Sequence, residues 1–107
     1  TEVKDNSTSL PNEFGLSQNY PNPFNPETVI NYQISVSSHV SLRVYDVLGR
    51  EVATLVNEYQ KPGLYNSKFS IRNLPAGRQG SQFGSGVYFY KIQTGNFTQT
   101  KKMILMK

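Results

Sequence analysis

His39 is the only histidine in the 107 residues, and it is the first place to look for a metal ligand or a general base. It follows Ser37-Ser38 and precedes a strand-like run. No second histidine and no carboxylate pair stands near it in sequence, so a solvated loop histidine is the preferred reading. The acids are Glu2, Asp5, Glu13, Glu27, Asp46, Glu51 and Glu58. Asp46 and Glu51 are close enough to flank a calcium ion. Calcium takes about 6 to 8 oxygen ligands, however, and nothing here resembles a spaced Asp/Asn loop. Asp46 reads instead as a turn residue. The chain has no cysteine, which excludes disulfides and thiolate metal sites. No residue set suited to catalysis remains. The expectation is a domain that is not an enzyme, with no catalytic, cofactor-binding or metal residues and no cofactor.

Two segments at opposite ends are candidates for recognition rather than chemistry. Tyr20, Pro21, Asn22, Pro23, Phe24, Asn25 and Pro26 form the first. Alternate prolines remove backbone donors and enforce extended geometry. Such a segment can shield a sheet edge from neighbouring chains. It can also be a rigid recognition strip with Tyr20 and Phe24 as anchors. The residues alone favour the edge segment modestly. Lys101, Lys102, Met103, Ile104, Leu105, Met106 and Lys107 form the second. This is a final strand with charged ends, and it can also be a terminal tag read by edge pairing. The glycosylation patterns at Asn6-Ser7-Thr8 and Asn96-Phe97-Thr98 are too common to carry weight.

Strands must position these segments. Residues 28–36 alternate cleanly, with Ile30, Tyr32, Ile34 and Val36 on one face. Val40, Leu42 and Val44 repeat the pattern. Asp46-Val47-Leu48-Gly49 breaks it as a turn, and residues 51–56 return as a short hairpin strand. A helical face from Val52, Ala53 and Val56 is the competing assignment there, and the strand-rich context argues against it. Lys61-Pro62-Gly63 is a further turn. Residues 64–71 follow as a strand with Tyr65, Phe69 and Ile71 on one face. Residues 86–94 are apolar on both faces at their start, which predicts a central strand. Thr94-Gly95-Asn96 turns into the last strand, residues 97–106. The core is expected to hold Ile30, Ile34, Leu42, Val44, Phe69 and Leu105. About seven short antiparallel strands predict an all-β, immunoglobulin-like β-sandwich.

Length allows one domain with a real core. Residues 1–15 are polar, too poor in apolar surface to order themselves, and read as a linker from an upstream passenger; residues 16–107 are the domain. The chain reads as the excised end of something larger, with no signal peptide within it. Net charge is +4, but the basic residues are scattered apart from Lys101, Lys102 and Lys107. Nucleic-acid binding needs a basic stripe with interleaved aromatics, so none is expected. The longest terminal apolar run, residues 103–106, is far short of the roughly 20 needed to span a membrane.

Four segments in order resemble the type A C-terminal sorting domain of the type IX secretion system. They are Leu16-Ser17-Gln18-Asn19-Tyr20-Pro21-Asn22-Pro23-Phe24-Asn25-Pro26, Val44-Tyr45-Asp46-Val47-Leu48-Gly49-Arg50-Glu51-Val52, Ser85-Gly86-Val87-Tyr88-Phe89-Tyr90-Lys91-Ile92 and Lys101-Lys102-Met103-Ile104-Leu105-Met106-Lys107. The resemblance implies an immunoglobulin-like sandwich. It implies a signal that directs an N-terminal passenger through the periplasm and across the outer membrane of a Bacteroidetes-type bacterium. An outer-membrane translocon would read the domain. A sortase-like surface peptidase would remove it and join the passenger to a surface lipopolysaccharide, leaving the passenger secreted or at the cell surface. The pattern is broken once: Asn73-Leu74 is separated from Ser85-Gly86-Val87-Tyr88 by residues 75–84, which read as an inserted, exposed loop. The competing reading is a fibronectin-like or carbohydrate-binding accessory module. It needs three of Tyr45, Tyr59, Tyr65, Tyr88 and Tyr90 on one exposed face.

Overall fold

The computed structural model of the chain describes residues 13–71 and 84–106. They form seven strands: β1 (Gly15–Leu16), β2 (Glu27–Ile34), β3 (Ser38–Tyr45), β4 (Glu51–Gln60), β5 (Gly63–Ser70), β6 (Gly86–Gln93) and β7 (Thr98–Leu105). There is no helix among the described residues. The strands make two antiparallel sheets, one ordered β1-β2-β5 and the other β4-β3-β6-β7. This is the all-β, immunoglobulin-like sandwich that the alternation predicts. Matched in chain order to an antibody constant domain, β1, β2 and β5 stand for strands A, B and E. β3, β6 and β7 stand for C, F and G, and the remaining strand pairs with the second sheet.

Alternation decides which side chains meet between the sheets. On β2, Thr28, Ile30, Tyr32 and Ile34 are buried, and on β3 Val40, Leu42 and Val44 are. Tyr88, Tyr90 and Ile92 of β6 and Met103 and Leu105 of β7 complete the opposite wall. All six residues expected in the core lie in one buried cluster. Each fully buried side chain of this type contributes roughly 1.5–3 kcal/mol.

The stretch with a competing helical reading is strand. β4 pairs with β3 from Glu51 to Gln60, four residues beyond the expected end, with irregularities between Leu42 and Arg43 and between Val44 and Tyr45. β6 is central, flanked by β3 and β7, as its two apolar faces require. Val36, expected to face inward, is instead 57% exposed. β2 ends at Ile34, and the chain then bends across to the other sheet, where the Ser38 hydroxyl donates to the Val36 carbonyl at 3.1 Å. Within the stretch expected to be linker, the Phe14 ring stacks on Phe97 at 5.5 Å, and Gly15 belongs to β1. Residues 75–84, expected to be an inserted loop, lie outside the described residues except for Gly84, as do residues 1–12 of the expected linker and Lys107.

Candidate functional site

The two candidate recognition segments are one structural unit. β1 ends at Leu16, but the chain continues beside β2: Ser17 N–H donates to Asn31 O at 2.9 Å, and Tyr20 and Val29 exchange backbone bonds at 3.0 and 2.8 Å. The chain then crosses to the other sheet. Phe24 N–H donates to Ile104 O at 2.9 Å, and Met106 N–H donates to Phe24 O at 2.9 Å, a parallel bridge at Leu105. Ile104 N–H donates to the Asn22 side-chain oxygen at 2.9 Å. Gln18 reaches the Lys102 carbonyl with its amide nitrogen at 2.7 Å. The strip therefore occupies the outer edge of β7 from Lys102 to Met106. An edge-pairing partner meets that backbone already bonded.

The sequence explains how the strip holds this path. Proline has no N–H to leave unpaired, so it stands where the chain leaves one sheet for the other. Asn19 is buried and links three neighbours. Its amide nitrogen donates to Pro21 O at 3.1 Å and to the Thr28 hydroxyl oxygen at 3.0 Å. Its own N–H donates to the Tyr90 hydroxyl at 2.8 Å, and that hydroxyl donates to Ser17 O at 2.7 Å. Burial pushes the Tyr90 phenol up to about 12, although the Asn19 backbone bond pulls the other way. A buried hydroxyl with both a donor and an acceptor partner is a satisfied one.

Burial divides the expected site residues. Phe24 is 1% exposed and packs edge-on against Phe69 at 5.9 Å. Met103 and Leu105 are also in the core. Tyr20 is 78% exposed, with Pro21, Asn22, Pro23 and Asn25 also exposed and Pro26 half-buried. Lys102 and Met106 are exposed, and Lys101 and Ile104 are half-buried. A partner that reads the folded domain meets Tyr20 and not Phe24. The proline-rich stretch has no periodicity, so sequence gave no signal for the burial of Phe24.

The turn between β3 and β4 is the other ordered polar feature. The Asp46 carboxylate accepts the Leu48 N–H at 2.9 Å, the Arg50 N–H at 3.0 Å and the Arg50 Nε–H at 2.9 Å. Gly49 takes φ +84°, a left-handed conformation natural to glycine. The Arg50 backbone bond, helped by its side chain and the Leu48 N–H, holds the Asp46 carboxyl below its ordinary value. This carboxylate is committed to the turn, as the sequence reading holds, and Val47 and Leu48 are left exposed at the tip.

His39 lies exposed on β3 opposite Tyr59. Among the described residues, no three His, Cys, Asp or Glu side chains converge on a metal-sized site. No helix there is long and apolar enough to cross a membrane. The tyrosines do not form an exposed platform. Tyr88 and Tyr90 are buried, Tyr45 and Tyr65 half-buried, and of the five Tyr59 alone is exposed. Tyr65 stacks on Tyr32 at 5.4 Å. The sugar-binding reading loses its support.

The chain matches the family model described as "Secretion system C-terminal sorting domain" over residues 18–78, more than half its length. The match takes in the proline strip and β2 to β5 and ends before β6. No curated protein matches the chain.

Proposed function

The chain belongs to the family of secretion-system C-terminal sorting domains, which are sorting signals for type IX secretion, and from that premise we propose that the surface read during export is the outer side of the proline strip together with the last strand. The role implies a passenger fused on the N-terminal side, a secretion machinery, and delivery to the cell surface or beyond. Sorting domains are typically non-catalytic. In our reading the domain has no activity of its own, an outer-membrane translocon binds it, and a sortase-like surface peptidase then removes it.

The observation that carries this reading is the bonding of the Asn22 side chain and the Phe24 backbone to the backbone of Ile104 and Met106. It holds the strip, with its exposed Tyr20, Pro21 and Pro23, against the strand that carries the exposed Lys102 and Met106. Such a surface exists only when both ends of the domain have folded, so it reports complete folding to whatever reads it.

The test fuses residues 1–107 to a periplasmically folding reporter in hosts with and without the type IX machinery. Export only in the host with the machinery is the expected result. Equal distribution in both hosts refutes the sorting role. Export unaffected by Tyr20→Ala, Asn22→Ala and Lys102→Glu together refutes the proposed surface.

A further inference from the structure

The outward face of the four-stranded sheet carries a charge arrangement that the fold does not need. In the register of β3 and β6, Arg43 stands directly opposite Lys91, and Tyr45 opposite Phe89. In the register of β6 and β7, Phe89 stands opposite Lys102. Alternation turns all five outward, because Leu42, Val44, Tyr88, Tyr90, Ile92 and Met103 face the core. Like charges directly opposite across a sheet destabilise it.

Among the described residues, little offsets that repulsion. Arg43 faces the Glu51 carboxylate, whose oxygen is 3.9 Å from Arg43 Nε and also accepts the Thr54 hydroxyl. Arg43 Nε is buried and has no hydrogen-bond partner, while its side chain keeps 34% of its surface open. Lys91 Nζ lies 5.8 Å from the centre of the Tyr45 ring. Asp46, at the rim, is committed to Arg50. In the ion pairs of the described residues, these three cations, Arg43, Lys91 and Lys102, thus meet one carboxylate, that of Glu51.

The face is also shaped. A shallow depression of about 260 Å³ lies beside Arg43, lined by Ser41, Gln93 and Thr94 among others. Another of about 310 Å³ lies beside Lys91, with Tyr45, Phe89 and Thr100 among its walls. The Arg43–Lys91 pair separates the two.

We propose that this face docks an acidic segment of a partner protein, with Arg43 and Lys91 taking carboxylates and Tyr45 and Phe89 flanking them. A planar guanidinium fork fits a carboxylate in bidentate fashion. The charges sit in the middle of a sheet between half-buried rings. Contact with a membrane surface favours protruding lysines and apolar wedges instead. Arg43 and Lys91 lie on β3 and β6, away from the β7 edge that the strip bonds, and Lys102 alone is shared with the export surface, so binding through Arg43 and Lys91 and export through the strip can fail independently.

The test uses the purified domain, labelled with ¹⁵N, and a short synthetic peptide in which Glu alternates with Leu. Its Gln-for-Glu counterpart and vesicles of phosphatidylglycerol are the comparison arms. The expected result is peptide binding that weakens with salt, with amide shifts on β3 and β6 and none for the Gln peptide. Arg43→Gln and Lys91→Gln should each weaken binding about tenfold or more, the scale of one charge-assisted hydrogen bond. Arg43→Lys should retain part of it. Lys68→Gln, on the other sheet, should have no effect. Lys91→Gln should bind poorly at an unchanged or raised Tm, which separates lost binding from lost folding. No peptide binding, or binding indifferent to Arg43 and Lys91, overturns the proposal. Binding to the vesicles but not the peptide also overturns it and assigns the face to a lipid surface.

Discussion

Phe24 and Leu105 stand side by side in a parallel bridge, the one point among the described residues where the proline strip joins the terminal strand as backbone to backbone. Both side chains are buried, at 1% and 0% exposure. The bridge therefore closes the β7 edge and a corner of the core together. It also leaves the strip's outward residues fixed relative to Lys102 and Met106.

Phe24→Ala should be among the most damaging single changes in the strip. Truncating a buried phenylalanine costs about 3–5 kcal/mol, a large part of a total stability of about 5–15 kcal/mol. Tyr20→Ala should change stability by no more than about 0.5 kcal/mol, because the ring is exposed. Urea unfolding of both variants, set beside their export ratios, checks the division of the strip. Comparable stability losses would refute it.

Alkaline pH should weaken the fold through Tyr90. Its phenol is raised by burial to about 12 in the folded state, against an ordinary value of 10.0. Below pH 10 both folded and unfolded states keep the proton, so the contribution is fully present. Between roughly pH 10 and 12 the unfolded state loses it first, and stability falls as pH rises. Burial pushes Tyr32 and Tyr88 in the same direction. Tyr90→Phe should flatten part of this alkaline limb. At neutral pH it should cost about 1–3 kcal/mol, because the Asn19 N–H loses its partner. An unchanged alkaline limb in the variant would exclude Tyr90 as its source.

The β3–β4 turn should be sensitive at two atoms. Gly49→Ala forces a side chain into a left-handed backbone, at about 1–2 kcal/mol. Asp46→Asn should remove an acid-side component of stability. The Asp46 carboxyl is depressed chiefly by the Arg50 backbone N–H, so its contribution is present above the ordinary carboxylate value and lost as pH falls through the depressed one. Melting curves from neutral to acid pH compare the two proteins. Parallel curves would show that the carboxylate charge is not used.

Local pattern made the interior legible and left the assembly hidden. Period-two alternation placed Ile30, Ile34, Leu42 and Val44 in the core because one buried face is all that such a strand encodes. Asp46 and Gly49 announced their turn through their own chemistry. Phe24 gave no such sign, since its burial depends on a strand whose bridging residue, Leu105, is 81 positions away in sequence. The Arg43–Lys91 juxtaposition was hidden for a similar reason. It follows from β3 pairing with β6 rather than with β2, which is a property of the sheet order. Val36 failed because alternation does not say where a strand stops.

Export should depend on the last strand in two separable ways. Met103 is fully buried, so Met103→Ala should cost about 2–5 kcal/mol and lower export along with Tm. Lys102 is exposed and outward, opposite Phe89, and its side chain has no carboxylate partner in the ion pairs of the described residues. Lys102→Glu should therefore change stability by no more than about 1 kcal/mol, the scale of an exposed charge interaction. Its effect on export should be much larger than its effect on melting, because a reversed charge on the exposed side of the last strand confronts any partner shaped for the native one. Lys107→Glu, outside the described residues, extends the same reversal along the tail. The measurement is the ratio of reporter outside the cell to reporter in the periplasm, with a melting curve for each variant. If export follows Tm alone across Met103→Ala, Lys102→Glu and Lys107→Glu, the strand's role is structural. If Lys102→Glu abolishes export at native Tm, the charge itself is read.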